Sequence, residues 1–231
     1  MIVPTFAGRH ARMVLALTVC SVLCVTADAA LAQTTPNPVP GGCETPASQR
    51  PKDEGCYLSA SQELGVLSQS ARFWHVYNYP TRAAAEAIKG PHGTVVESFG
   101  RTWLYTIADA DWRPAKGERV AVVGPLTVKD GVRYTARYME AVFPPGLATL
   151  VHVHSGAEAW YVVSGAQCLE TPDSARVVRA GEGGVVPQGP PMRLSSVGAG
   201  IRRSVFLVLH ETSQPWITYT SVWTPTGRCP K

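Results

Sequence analysis

Gly146-LATLV-His152-V-His154-SGA-Glu158-AWYVVS-Gly165 sets two histidines and a glutamate in a strand–turn–strand pattern. His152 and His154 lie two residues apart, so on an extended strand both imidazoles project from one face. Ser155-Gly156-Ala157 is a short turn, and Glu158 then opens a second strand beside the histidines. Trp160 and Val162 alternate with Glu158 and share its face. Two imidazoles and one carboxylate converging on a point form a metal-binding set: the imidazoles offer neutral nitrogen lone pairs, and the carboxylate adds hard oxygen and charge compensation.

Short strands bounded by Gly, Pro, Ser or Asp recur on both sides of this stretch. They are expected at 132–143, 147–153, 159–163, 176–179, 185–187, 192–195, 202–209 and 216–222. No helix-period segment interrupts them, which argues for an all-β barrel or sandwich. Composition agrees: 231 residues with 45% hydrophobic and 16% charged side chains, 21 Gly and 19 Pro suit a turn-rich globular chain rather than a disordered one or a helical bundle. A formal charge of +4 with scattered Lys and Arg contains no basic block, so nucleic acid is not an expected partner. Arg202-Arg203 alternates sides of its strand and is too little for a patch.

The quoted stretch resembles the first cupin motif, G-x5-HxH-x3-E-x6-G, at every fixed position, a match expected by chance on the order of 10⁻⁵ per chain. Fifteen residues later, Gly181-EGGVV-Pro187-Q-Gly189-PP-Met192-RLS-Ser196 resembles the second motif, G-x5-PxG-x2-H-x3-N, in Gly181, Pro187 and Gly189. Met192 stands where the family's fourth ligand, a His, is usual, and Ser196 where an Asn is usual. The resemblance implies a cupin jelly-roll barrel with an internal metal. It covers about residues 130–222 and makes a homodimer a reasonable expectation.

Three outcomes follow from Met192. A hard divalent ion leaves the thioether a bystander and His152, His154 and Glu158 a three-ligand site. Cu(I) would recruit the sulfur as a ligand. Without a metal, the barrel keeps a pocket for an organic ligand. Zn²⁺, Mn²⁺ and Fe²⁺ all suit the nitrogen–oxygen set, and loading outside the cytoplasm favours the tighter-binding Zn²⁺. Met192 and Trp160 are the candidates for lining a ligand pocket, with core packing as the alternative for each. His210, at the end of an apolar strand, is read as a strand-end residue, His75 as structural and His92 as solvated.

Upstream, residues 71–110 read as a strand (73–79), a short helix capped by Thr81 and stopped by Gly90, and a hairpin (94–99 and 102–108) turning at Gly100-Arg101. The domain expectation is a small α/β extension over 67–115, a cupin barrel over 116–222 and a tail over 223–231. Residues 33–66 read as a Pro-rich and polar linker. Before them, Arg9, His10 and Arg12, an apolar run over 13–25 and Ala30-Leu31-Ala32 match a secretory signal peptide over 1–32, too short for a comfortable membrane span. An exported chain, periplasmic or secreted and without a stable span after processing, is expected. It would retain Cys43, Cys56, Cys168 and Cys229. Four cysteines allow three pairings; proximity favours Cys43–Cys56, which leaves Cys168–Cys229 to tie the tail to the body, with free thiols as the alternative.

Two functions are consistent with these readings. One is a metal-dependent enzyme (oxygenase, isomerase or lyase) acting on a small molecule through His152, His154 and Glu158. The other is a non-catalytic envelope protein that binds a small ligand without a functional metal. No separate acid or base stands at a convincing spacing, so no catalytic residue is assigned.

Overall fold

The computed structural model describes residues 1–2, 39–68 and 72–230. The expected signal segment, with Cys20 and Cys24, and the first part of the Pro-rich linker lie outside the described residues. Among the described residues, no helix is long and apolar enough to cross a membrane.

The chain is all-β. After a 3-10 turn at Ala47–Gln49 come β1 (Gly55–Val66), β2 (Arg72–Tyr79), α1 (Arg82–Glu86), β3 (Gly93–Ser98), β4 (Arg101–Ala108) and β5 (Glu118–Leu126). The second half runs β6 (Arg133–Phe143), β7 (His152–Val153), β8 (Gly156–Ser164), β9 (Ala166–Glu170), β10 (Ala175–Arg179), β11 (Gly183–Val186), β12 (Arg193–Ser196), β13 (Arg202–Glu211) and β14 (Thr218–Tyr219). Antiparallel pairing builds a five-stranded sheet in the order β1-β6-β13-β8-β11. The short sheets β10-β9-β12 and β14-β7 accompany it, and β3-β4-β2-β5 forms a separate four-stranded sheet.

Strict alternation along the five-stranded sheet makes two cores. On β13, Val205, Leu207 and Leu209 enter one cluster, whereas Phe206 and Val208 enter another. On β8, Ala157 and Ala159 take the first side and Trp160 and Val162 the second. The first cluster joins this sheet to the four-stranded one through Trp74, Trp103, Tyr105 and Ile107. Trp74 meets Tyr105 edge-on at 5.2 Å, and Tyr105 meets Tyr138 of β6 at 5.1 Å, so an aromatic chain spans the two layers. The second cluster is the barrel interior, where residues of the five-stranded sheet meet Leu169, Val178 and Leu194 of the short sheet.

Local signals at 71–110 translate into structure with small shifts. The Thr81 side chain accepts from the Ala84 N–H at 3.2 Å and caps α1. The β3–β4 hairpin pairs Ser98 with Arg101, which puts the turn at Phe99-Gly100, one residue earlier than expected. Phe99 and Gly100 have φ of 54° and 70°, the left-handed pair that a two-residue hairpin of this twist requires. The Phe99 side chain packs against the aromatic core, which holds a phenylalanine in that conformation.

Three expectations change. Residues 55–66, read as linker, form β1 and pair with β6 along the edge of the barrel sheet. Their alternation was hidden because bulges at Leu58/Ala60 and Glu63/Gly65 reset the face twice. The boundary drawn at 116 does not divide the sheets, since β5 pairs with β2 and extends the four-stranded sheet to Leu126. Pro125 sits in β5 without breaking a ladder because β5 is an edge strand. Residues 166–170, for which no strand was expected, form β9.

Both expected disulfides are present: Cys43–Cys56 with a Cα–Cα distance of 4.5 Å and Cys168–Cys229 with 5.8 Å. The second holds the 223–230 tail together with Glu170, a buried carboxylate. Its Oε1 accepts from the N–H groups of Thr226 (2.8 Å), Gly227 (2.9 Å) and Arg228 (3.3 Å). Its other oxygen accepts from Arg193 at 3.2 Å. Burial alone would raise this carboxyl, but the tail N–H groups and Arg193 outweigh it and hold it below the usual carboxylate range.

Candidate metal centre

The HxH pair sits on β7, a strand of only two residues. Tyr219 of β14 pairs with the His152 backbone, and Met192 bridges it from another direction through N–H···O bonds of 3.1 and 2.9 Å. Two backbones therefore clamp His152. The turn that follows is shaped by Gly156: a Cβ there would lie 1.7 Å from the Leu209 carbonyl oxygen, so β8 can start beside β13 only with glycine. Two residues on, Glu158 lies opposite Val208 with its side chain on the interior face.

His152, His154 and Glu158 are buried, and one ligand atom from each lies within 4.8 Å of the others. His152 Nδ1 donates to the Leu150 carbonyl at 2.8 Å, and His154 Nδ1 donates to the Trp216 carbonyl at 2.6 Å. Each contact assigns the ring proton to Nδ1 and leaves the Nε2 lone pair available, which is how metal-ligating imidazoles are oriented. His154 Nε2 and a Glu158 oxygen stand 3.5 Å apart, and neither has a hydrogen-bond partner among the described residues. Orphaned buried atoms of this kind cost about 1–3 kcal/mol each. A divalent cation would satisfy both together, so the donor set fits a metal. Burial and the neighbouring His154 push His152 down to about 4, outweighing the opposing pull of Glu158, so it is neutral, the ligating form, at neutral pH.

The three residues border a small cavity of about 40 Å³. Its remaining wall includes Phe143, Phe206, Arg202 and Trp216. Trp216 stacks on His154 with ring centroids 5.7 Å apart and planes at 21°. Its indole N–H donates to Glu44 at 2.5 Å, and Arg137 covers its ring at 4.7 Å. Arg202 is fully buried with its guanidinium 4.0 Å from the Phe143 ring centroid and 5.3 Å from that of Phe206.

Neither pocket candidate from the sequence borders this cavity. Met192 and Trp160 are buried in the interior apolar cluster. The Trp160 ring packs on Gly184, whose missing Cβ would lie 2.3 Å from it. Met192 instead serves His152 through its backbone. Ser196, in place of the usual Asn, donates to the Phe143 carbonyl at 3.2 Å. His210 lies near the end of β13 and is buried, its Nδ1 donating to the Glu211 carbonyl at 3.0 Å, off the cavity wall. His75 is structural, its Nε2 donating to the Asp109 carbonyl at 2.8 Å, and His92 is half-buried.

Trp216 and Arg202 were missed as site residues. Nothing local marks Trp216, which follows Pro215 in a loop. For Arg202 a weak signal existed, a charged residue in phase with the interior positions Ser204, Phe206 and Val208.

The stretch that resembles the first cupin motif lies on β7 and β8 of these sheets. Solved structures similar over part of the chain include a cupin-like protein from Thermotoga maritima at 16% identity and a TM-score of 0.35, covering 37% of this chain and 65% of that one. A cupin superfamily protein from Desulfitobacterium hafniense matches at 10% identity and a TM-score of 0.31, over 37% of this chain and 74% of that one. A DMSP lyase from Ruegeria pomeroyi matches at 16% identity and 0.33, and the match spans 43% of its length. No protein-family model and no curated protein matches the sequence.

Proposed function

We propose that this is an exported cupin that holds one divalent metal ion through His152, His154 and Glu158 and acts on a small molecule entering the barrel. The observation that carries the reading is the convergence of the three buried ligand atoms within 4.8 Å while the Nδ1 atoms of both imidazoles are bound to backbone carbonyls. Bound there, a divalent ion supplies a Lewis acid that polarises an oxygen atom. The chain's own part is to present two neutral imidazoles and a carboxylate, to exclude bulk water through the Phe143 and Phe206 walls, and to keep His154 aligned through Trp216. Two disulfides support assembly in an oxidising compartment, in keeping with a signal peptide over 1–32. Among the described residues lining the cavity, Arg202 is the one titratable group besides the ligand set. The lack of a spare acid or base favours, as the second reading, a protein that binds without turnover.

The test is metal content by elemental mass spectrometry, on protein exported to an oxidising compartment and purified without a metal-affinity tag. Near-stoichiometric metal in the wild type and none in His152→Ala/His154→Ala is the expected result. A wild type that stays empty after titration with Zn²⁺, Mn²⁺ and Fe²⁺ would sink the metal reading.

A further inference from the structure

Arg202 has no role in the metal reading, yet it is the most conspicuous charge in the barrel. It is 0% exposed, and none of its three guanidinium nitrogens has a hydrogen-bond or ion-pair partner among the described residues. Buried arginines are ordinarily paired, because an uncompensated interior cation is costly. The rings of Phe143 and Phe206 attract the guanidinium, but an aromatic face offers no acceptor for its N–H groups. The side chain borders the same cavity as His152, His154 and Glu158. Its neighbour Arg203 is exposed, so the burial is specific to this position on β13.

Charge balance makes the point sharper. Glu158 is the acidic group whose field reaches Arg202. Once Glu158 ligates a divalent ion, its charge is committed there. The neutral imidazoles add none, and the closed site carries two positive charges in excess. An anion entering the site would offset that excess. The guanidinium presents a planar fork of N–H donors, which matches the two oxygens of a carboxylate. The cavity, about 40 Å³, admits only a few heavy atoms beyond the metal.

We infer that Arg202 is the anion-recognition residue of this site and that the barrel takes a small carboxylate, of about one to four heavy atoms beyond the carboxyl group. The carboxylate pairs with Arg202 while the rest of the molecule reaches toward the metal ligands. This deepens the proposed function and rests on it for the metal end, whereas the Arg202 end stands on the unpartnered guanidinium alone.

The test uses disulfide-intact protein, metal-free and Zn²⁺-loaded, titrated calorimetrically with acetate, malonate and inorganic phosphate. Metal content is measured on every sample. Wild type should bind acetate or malonate, and Arg202→Met should weaken that binding by roughly 30-fold with metal content unchanged. Arg203→Met should behave as wild type. Equal carboxylate affinity in wild type and Arg202→Met would overturn the assignment, as would a wild type that binds phosphate alone or no anion. If Arg202→Met does not fold, Arg202→Lys serves, keeping the charge without the fork; undiminished carboxylate binding there overturns the fork argument. A wild type that holds no metal but still binds carboxylate through Arg202 would sink the metal reading and sustain this one.

Discussion

Trp216 holds His154 in two ways at once: its carbonyl accepts the Nδ1 proton at 2.6 Å, and its indole stacks on the imidazole with the planes at 21°. The loop before β14 therefore belongs to the candidate metal centre, although 62 residues separate the pair. Glu44 fixes the far side of the indole, so the N-terminal disulfide segment also takes part.

Trp216→Ala should accordingly lower metal affinity by about tenfold without unfolding the barrel, because outer-shell partners orient ligands and tune their basicity. A competitive chelator titration reads this. Affinity equal to wild type would show that backbone pairing alone aligns His154.

Gly156→Ala should destabilise the protein by about 3 kcal/mol or more, since the new methyl group collides with the Leu209 carbonyl in the central sheet. Gly200→Ala, which meets nothing within 4 Å, should change stability by less than about 0.5 kcal/mol. Denaturant midpoints compare the two directly, and similar midpoints would contradict the packing described at Gly156.

Replacing both Cys43 and Cys56 by Ser opens a loop closed over a sequence separation of 13 and should cost about 3 kcal/mol. Because Cys43 and Cys56 border the cavity and Glu44 grips Trp216, metal affinity should fall as well. Unchanged affinity in the folded double variant would uncouple this segment from the site.

Glu170 sets an acid limb of stability. Its carboxyl is held below the usual range in the folded chain, so the stability it contributes is fully present above the unfolded value near 4.5. That contribution is lost as pH falls through the lower folded value. Glu170→Gln should destabilise by about 2 kcal/mol at neutral pH and flatten the decline below pH 5. Thermal melts across that range check it; an identical acid limb in the variant would assign the decline to other groups.

Met192→Leu should leave metal stoichiometry unchanged and cost less than about 1.5 kcal/mol, since the side chain packs in the apolar interior and serves His152 through its backbone. Loss of the metal in a folded variant would make the thioether a ligand.

Much of the barrel half was readable along the chain because its determinants are local. Two-residue alternation placed His152 and His154 together and put Glu158 on the interior face. Turn glycines bounded the strands, and the four cysteines beyond residue 32 allowed few pairings. The cupin resemblance followed from the same stretch. Other features arise only when distant segments meet. The bulged edge strand β1 shows no clean alternation, so its place beside β6 is set by pairing. Trp160 and Met192 share a face with site residues, yet packing directs them into the apolar cluster. Arg202 reads as one half of a dipeptide with alternating sides until β13 is seated between β6 and β8, where the closing of sheets over its strand takes its charge out of water. Periodicity reports which face a side chain occupies; whether that face carries packed hydrocarbon or an unbalanced charge depends on what the other layer brings to meet it.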